Sequence, residues 1–260
     1  IPLANGPHNL SASMTARKVY VAIIAEPLIQ VIDMDTNEII ANIETGGGVH
    51  NTFVTPDGRY AVGGMIGVSE IIAIDTETDE VEFEISIPYS QNPFTGGVRP
   101  LTFTVNEDGS TRSLLVNVGG WHGFWEFDWA TQELMNKISP PADSWNRMDQ
   151  TADGIQSAPS HGIVVLPDQS QVWHSSRATS HIYGYSFPDY EYLGRVYIGN
   201  PAWITTTPDS KYLWVGVSGH NETAVVDVEK QEVIKRFPVG QAPKRIFTAI
   251  MPADWEGEAP

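Results

Sequence analysis

Short apolar segments alternate with polar turns along the whole chain. The apolar segments are rich in Val, Ile, Tyr, Phe and Trp, and the turns between them carry Gly, Pro, Asp and Asn. This alternation predicts short β-strands joined by tight turns. No segment shows the periodicity of a helix of 10–15 residues, which a TIM barrel or a doubly wound α/β fold needs between its strands. The pattern therefore predicts an all-β protein.

One sequence marker is a strand that runs into a proline-aspartate turn. Copies begin at His50 and His161, and a third runs from Trp203 to Asp209. A looser copy begins at Pro100, and another opens at His8 without the proline-aspartate pair. Such internal repetition decides the fold before any other feature.

A second marker is an apolar strand that ends in aspartate and is followed by a polar turn and another strand. The aspartates are Asp33, Asp75, Asp128 and Asp227, and Phe187 stands at this place in the fourth copy. Together the two markers define a unit of four strands that repeats about every 40–45 residues, which is typical of a β-propeller blade. A β-solenoid would need much shorter repeats.

The second unit shows the four strands most clearly. We predict strand A at His50–Thr55, strand B at Tyr60–Met65, strand C at Glu70–Asp75 and strand D at Val81–Ile87. In a blade, strand A lines the central channel and strand D lies outside.

The whole chain, 1–260, is expected to form a single propeller domain with five complete blades. The predicted blades are 7–46, 49–90, 98–140, 159–199 and 201–240, followed by a partial blade at 242–252 that opens with a sixth A strand at Lys244–Ala249; a long inserted loop covers 139–157. We interpret the chain as part of a ring of six or seven blades. A ring of five blades with an extra strand at each end is the alternative.

The repeats resemble the YVTN family of β-propeller repeats. The residues that carry the resemblance are Lys18–Ala22, Tyr60–Gly63, Tyr212–Val215 and the C strands that end in aspartate. The family is related to the propellers of nitrous-oxide reductase, cytochrome d1-type nitrite reductase and lactonases, and it also includes proteins that are not enzymes. The resemblance implies the fold and leaves the activity open.

The charge of the chain excludes several kinds of partner. There are 15 Lys and Arg against 32 Asp and Glu, which gives a formal net charge of −17. A surface this acidic repels nucleic acids, and no apolar run is long enough for membrane insertion. The absence of cysteine excludes a Cys/His zinc centre and a blue-copper site. We expect a periplasmic or extracellular protein, although no signal peptide is visible at the start.

All seven histidines map to one face of the predicted propeller, where the D-to-A and B-to-C connections open. His8, His50 and His161 stand at the same place, at the start of strand A beside the axis. Imidazoles gathered there could bind a transition metal ion, with copper or iron favoured and zinc as a third possibility. The alternatives are a polar ligand site without a metal and histidines with a purely structural role.

Three further histidines are candidates for catalysis. His122 and His181 share a position in the B-to-C connection, and His220 lies one residue from it. They would be additional metal ligands or acid/base groups, because imidazole titrates near neutral pH.

Cations and tryptophans share the same predicted face. Arg99, Arg177 and Lys244 would bind an anionic group of the substrate, and Trp121 and Trp203 would form an aromatic wall. The alternatives are ion pairs with neighbouring glutamates and tryptophans packed between blades.

These residues predict a small-molecule metalloenzyme, with an oxidoreductase preferred over a lyase or hydrolase on the family resemblance alone. The alternative is a non-catalytic propeller scaffold that binds a protein or a small ligand on the same face, as one subunit of a larger complex.

Overall fold

Twenty antiparallel strands form five sheets of four strands each among the residues described by the structure, a computed structural model. The described residues are 1–68, 70–87, 97–141, 158–251 and 255. Most of the predicted inserted loop at 139–157 therefore lies outside them.

Each sheet is built from four strands that follow one another in the sequence and pair with their neighbours in that order. The first sheet holds β1 (Pro7–Ser13), β2 (Lys18–Ile23), β3 (Leu28–Asp33) and β4 (Ile39–Glu44), and the second holds β5 (Gly48–Val54), β6 (Tyr60–Ile66), β7 (Glu70–Asp75) and β8 (Val81–Ser86). The third holds β9 (Val98–Val105), β10 (Thr111–Val118), β11 (Phe124–Asp128) and β12 (Leu134–Ile138). The fourth holds β13 (Ser160–Val165), β14 (Gln171–Ser176), β15 (His181–Ser186) and β16 (Tyr192–Tyr197), and the fifth holds β17 (Pro201–Thr206), β18 (Tyr212–Val217), β19 (Glu222–Asp227) and β20 (Glu232–Pro238).

The first strand of each sheet is the innermost strand of the propeller. β1 packs against β5, β5 against β9, β9 against β13, and β13 against β17, so the sheets succeed one another around an axis. The last strands, such as β4 and β8, expose half or more of their residues, whereas the two middle strands of these sheets are largely buried. Apolar side chains of adjacent sheets fill the space between them. These features confirm the predicted β-propeller.

The aspartate that ends each third strand closes the turn to the fourth. Asp33 accepts hydrogen bonds from the backbone N–H groups of Asp35 and Thr36, and Asp75 accepts equivalent bonds from Glu77 and Thr78. The residue that follows in this turn has a positive φ, 58° at Asn37 and 60° at Asp79, and short polar side chains tolerate that conformation. The second sequence marker is therefore a self-closing turn.

The proline-aspartate marker closes the turn between the two inner strands. The Thr55 hydroxyl donates to the carboxylate of Asp57 at 2.6 Å, and the Thr207 hydroxyl donates to Asp209 at the same distance. These short local bonds fix the register of each inner hairpin.

The segment 243–250 follows β20 and forms no strand, contrary to the predicted sixth A strand at Lys244–Ala249. It runs alongside β17 instead. The hydroxyl of Thr248 donates to the carbonyl of Thr206 at 2.7 Å, and the guanidinium of Arg245 lies 5.7 Å from the ring centroid of Trp203. We call residues 243–250 the terminal segment.

Among the described residues, no helix is long and apolar enough to cross a membrane.

Candidate anion-binding site

Three imidazoles meet at the start of the inner strands. The ring centroids of His8 and His50 are 4.6 Å apart, and those of His50 and His161 are 5.6 Å apart. They come from β1, β5 and β13, so strands far apart in the sequence bring them to one mouth of the channel. The structure thus gathers the three histidines that their place in the repeat predicts.

Arg99 takes the equivalent position in the third sheet. It is the second residue of β9, as His8 is of β1 and His161 is of β13. The sequence pattern predicts Pro100 at this point, because the apolar run that contains the start of β9 does not fix its first residue. The mouth therefore carries a guanidinium where a fourth imidazole would stand.

The hydrogen bonds of the imidazoles fix which ring nitrogens remain available. His8 donates from Nδ1 to the carbonyl of His50 at 2.6 Å, and Nη2 of Arg245 lies 2.8 Å from His8 Nε2. His50 donates from Nδ1 to Oδ1 of Asn51 at 2.9 Å, which leaves the lone pair on Nε2. The carbonyl of His161 accepts a bond from Asn117 at 3.0 Å.

The surroundings of these imidazoles favour the neutral form. Burial, followed by the positive charge of Arg99, holds the pKa of His50 well below its ordinary value. Burial likewise depresses the pKa of His161, and it lowers the pKa of His8, with Arg245 adding to the effect. Neutral imidazoles offer one acceptor and one donor each. The histidines therefore add little charge to the mouth at neutral pH.

Four cations surround the three imidazoles. Arg99 is only 7% exposed, and its Nε is buried without a hydrogen-bond partner. Burial and the nearby charge of Arg177 lower the pKa of Arg99 to about 10. The pKa of Lys244 is lowered by burial and by Arg245, Arg177 and Arg99, which lie close enough to repel it. Like charges are thus held together in a chain whose net charge is −17.

The ion pairs within the described ranges leave these four cations without a carboxylate. The alternative proposed from the sequence, pairing with nearby glutamates, is not observed for Glu222, which binds Arg236. A buried charge without a partner is costly, and an anion held at the mouth would remove that cost. The arrangement fits an oxyanion such as a carboxylate, which guanidinium groups bind through paired hydrogen bonds.

The same residues fit a metal cation less well. In the described part of the chain, no group of three or more His, Asp or Glu is arranged to hold a metal ion. His8 Nε2 faces the guanidinium of Arg245 rather than an open site. Among the residues that the structure describes, no carboxylate pairs with the surrounding cations. The metal centre of His8, His50 and His161 remains a prediction.

The predicted catalytic histidines contact other residues than the three imidazoles at the mouth. His122 is fully buried, and its Nε2 is hydrogen-bonded to Oγ of Ser176 at 2.7 Å. Its ring centroid lies 6.3 Å from that of His174. The ring of His181, at the start of β15, contacts Tyr197. The side chain of His220 is 49% exposed, and its Nδ1 lies 3.6 Å from the carboxylate of Glu222.

Ring contacts join none of these three to the inner histidines within the described ranges. Their predicted acid/base role therefore stays a prediction. The shared B-to-C position identifies the face of the propeller and says nothing of the distance from the axis.

The two tryptophans predicted to form an aromatic wall have different neighbours. The Trp203 ring centroid lies 5.6 Å from that of His161, so Trp203 belongs to the mouth. Trp121 packs instead on Trp125, at 5.8 Å, and donates from Nε1 to the carbonyl of Ile138.

A cavity of about 840 Å³ opens beside the mouth, between β1 and the terminal segment. His8 and Arg245 line its polar end, and Leu10, Phe53 and Phe247 line its apolar part. The sequence pattern did not indicate Phe53 or Phe247, because apolar residues of inner strands look alike whether they face a core or a cavity.

Comparisons with known proteins support the fold and leave the activity open. No family model and no curated protein sequence matches the chain, so the resemblance to YVTN repeats stays a prediction. Among many solved structures that match, the chain is similar to Kuenenia stuttgartiensis hydrazine synthase with a TM-score of 0.68 and 17% sequence identity, covering 91% of this chain and 76% of that one. At this identity the likeness is one of fold.

Proposed function

We propose that the protein binds an anionic small molecule at the mouth of the propeller channel. The observation that carries the proposal is Arg99, a buried guanidinium that has no acidic partner among the described residues and is repelled by Arg177. The anion would lie among Arg99, Arg177 and Lys244, with the neutral imidazoles of His50 and His161 beside it.

The imidazoles would orient the ligand through hydrogen bonds and would add little charge to the site. His50 keeps an unprotonated Nε2, because its Nδ1 donates to Asn51. A neutral nitrogen beside several cations can accept a hydrogen bond from a hydroxyl or amine of the ligand. The mouth thus suits an oxyanion that also carries a donor group.

The experiment is calorimetric titration of the full chain with acetate, phosphate and lactate at neutral pH and low salt. We expect at least one of them to bind with one site per chain, and the affinity to fall with added salt, because the attraction is electrostatic.

Arg99→Met separates a ligand-binding role from a structural one. The apolar side chain removes the buried charge, so we expect anion affinity to fall at least about tenfold while the free energy of unfolding rises by about 1 kcal/mol or more. Lys211→Met, at an exposed cation paired with Asp209, is the matched control and should change neither quantity. A less stable Arg99→Met protein with unchanged anion affinity would contradict the proposal.

A metal-dependent oxidoreductase is the second candidate. It is favoured by the convergence of His8, His50 and His161 at one mouth and by the open Nε2 of His50. Elemental analysis of protein purified without added metal tests it. Stoichiometric copper, iron or zinc that is lost in the His50→Ala, His161→Ala double variant would support this candidate, and metal-free protein that binds anions would exclude it.

A further inference from the structure

We propose that the anion bound at the mouth carries an apolar tail, which occupies the cavity between β1 and the terminal segment. This inference rests on the proposed function and adds the chemical class of the ligand, an amphiphilic carboxylate.

The cavity is charged at one end only. Its polar end is formed by His8 and Arg245, which contact each other through Nη2 and Nε2 at 2.8 Å. These two side chains belong to the cationic mouth as well, since the charges of Arg245 and Arg99 both depress the pKa of His8. The cavity and the mouth therefore share one wall, and one ligand can reach both.

The apolar wall lies farther along the strands. β1 and β5 run in the same direction, because His8 bonds the carbonyl of His50 and Asn9 accepts a bond from the N–H of Thr52. Leu10 follows His8 and Phe53 follows His50, so both lie beyond the charged end. A tail that leaves the mouth would pass along them.

The terminal segment runs the same way along β17. Arg245 lies over Trp203, and Thr248 lies beside Thr206. Phe247 is therefore also placed beyond the charged end, opposite β1. The ring centroids of Phe53 and Phe247 are 6.4 Å apart, which makes them neighbours in the cavity.

Two side chains of this apolar wall are largely exposed to solvent in the described part of the chain. Leu10 is 57% exposed and Phe247 is 54% exposed, although both face a concave surface. Covering such surface with an apolar group is favourable, roughly in proportion to the area removed from water. A cavity of about 840 Å³ also falls within the usual range for small-molecule sites, about 300–1,000 Å³.

Charge selects a small amphiphilic anion over a second copy of the chain as the occupant. Two molecules of net charge −17 repel each other, whereas one carboxylate would pair with the cations at the mouth. The uneven distribution of charge within the cavity matches a ligand that is polar at one end only.

The test compares octanoate, acetate and neutral octanol by calorimetric titration of the full chain. We expect octanoate to bind at least about tenfold more tightly than acetate, because its added methylene groups become buried. Octanol should bind more weakly than octanoate, because it lacks the charge.

Variants locate the tail. The Leu10→Asn, Phe247→Asn double variant should reduce octanoate affinity to that of acetate and leave acetate affinity unchanged, which also shows that it is folded. Ile40→Asn, at an apolar residue of β4 that is 48% exposed, is the matched control and should bind octanoate normally. A milder Leu10→Ser variant should give an intermediate loss.

Several results would overturn the inference. Equal affinity for acetate and octanoate would leave anion binding intact and refute the apolar tail, whereas binding of neither would refute both proposals. Octanoate binding that survives in the double variant, or that is lost equally in Ile40→Asn, would show that the tail lies elsewhere. A dimer in sedimentation that octanoate does not dissociate would assign the cavity to a second copy.

Discussion

Two groups of buried histidines lie in the described part of the chain, and their surroundings differ. At the mouth, His50 and His161 lie among cations and beside an open cavity. Between the third and fourth sheets, His174 is fully buried, and its ring stacks on those of Tyr183 and Tyr185 at interplanar angles of 13° and 19°. Burial depresses the pKa in both groups. A lowered histidine pKa therefore reflects burial in both groups, and the difference between them is the cluster of cations at the mouth, which have no carboxylate partner among the described residues.

The largest expected effect is the loss of stability at acidic pH that results from protonation of His174. The pKa of His174 is about 3 in the folded protein, mainly because of burial, and about 6.5 in the unfolded chain. The unfolded chain therefore binds a proton first as the pH falls. The stability due to neutral His174 is fully present above about pH 6.5 and is lost as the pH falls toward 3, by on the order of 4 kcal/mol.

Denaturant unfolding at several pH values measures this loss. His174→Phe cannot bind a proton, so its free energy of unfolding should fall less steeply between pH 6.5 and 3, by up to about 1.4 kcal/mol per pH unit. Ile40→Phe, at an exposed residue that does not titrate, is the control and should keep the original slope. Equal slopes for wild type and His174→Phe would show that His174 is not protonated differently in the two states.

The next prediction compares the effects of two alanine variants on folding stability and on anion affinity. His174→Ala should lower the free energy of unfolding by about 3 kcal/mol, because it leaves a cavity between two tyrosine rings, and it should not change anion affinity. His8→Ala should do the reverse, because His8 is only partly buried and lines the mouth. Its affinity for the anion should fall several-fold. The comparison of the two histidine groups fails if both variants change the same quantity.

The smallest effect is the coupling between Arg245 and His8, whose side chains are hydrogen-bonded. A double-mutant cycle with Arg245→Gln and His8→Gln should give a coupling free energy of about 0.5–1 kcal/mol for octanoate binding. Lys230→Gln with His8→Gln is the matched cycle, since Lys230 pairs with Asp227 and should be independent of His8. Additive effects of the first pair would mean that Arg245 and His8 bind the ligand separately.

Much of the fold could be predicted because its signals are local. The aspartate turns close within a few residues, as at Asp33 and Asp75, so the repeat is visible in the sequence itself. The gathering of His8, His50 and His161 could also be predicted, since equivalent positions of inner strands meet at the axis.

The rest of the site depends on quantities that the repeat does not encode. The role of Arg99 depends on the start of β9, and a shift of one residue moves a side chain to the other face of the sheet. The placement of Phe247 in the cavity depends on how the terminal segment packs against β17. His122 and His174 share a face with the inner histidines, but they pack between sheets. The repeat predicts the face on which a residue lies and does not predict its distance from the propeller axis.

The self-closing aspartate turns have a consequence for how such a protein can change. Because these turns help to hold the outer strands of each sheet, one residue near the start of each inner strand can lie at a shift in the pairing with the next strand. That position holds the imidazoles of His8, His50 and His161 in the first, second and fourth sheets, the guanidinium of Arg99 in the third and the methyl group of Ala202 in the fifth. Single substitutions at this position can therefore change which ligand the mouth prefers without changing the fold.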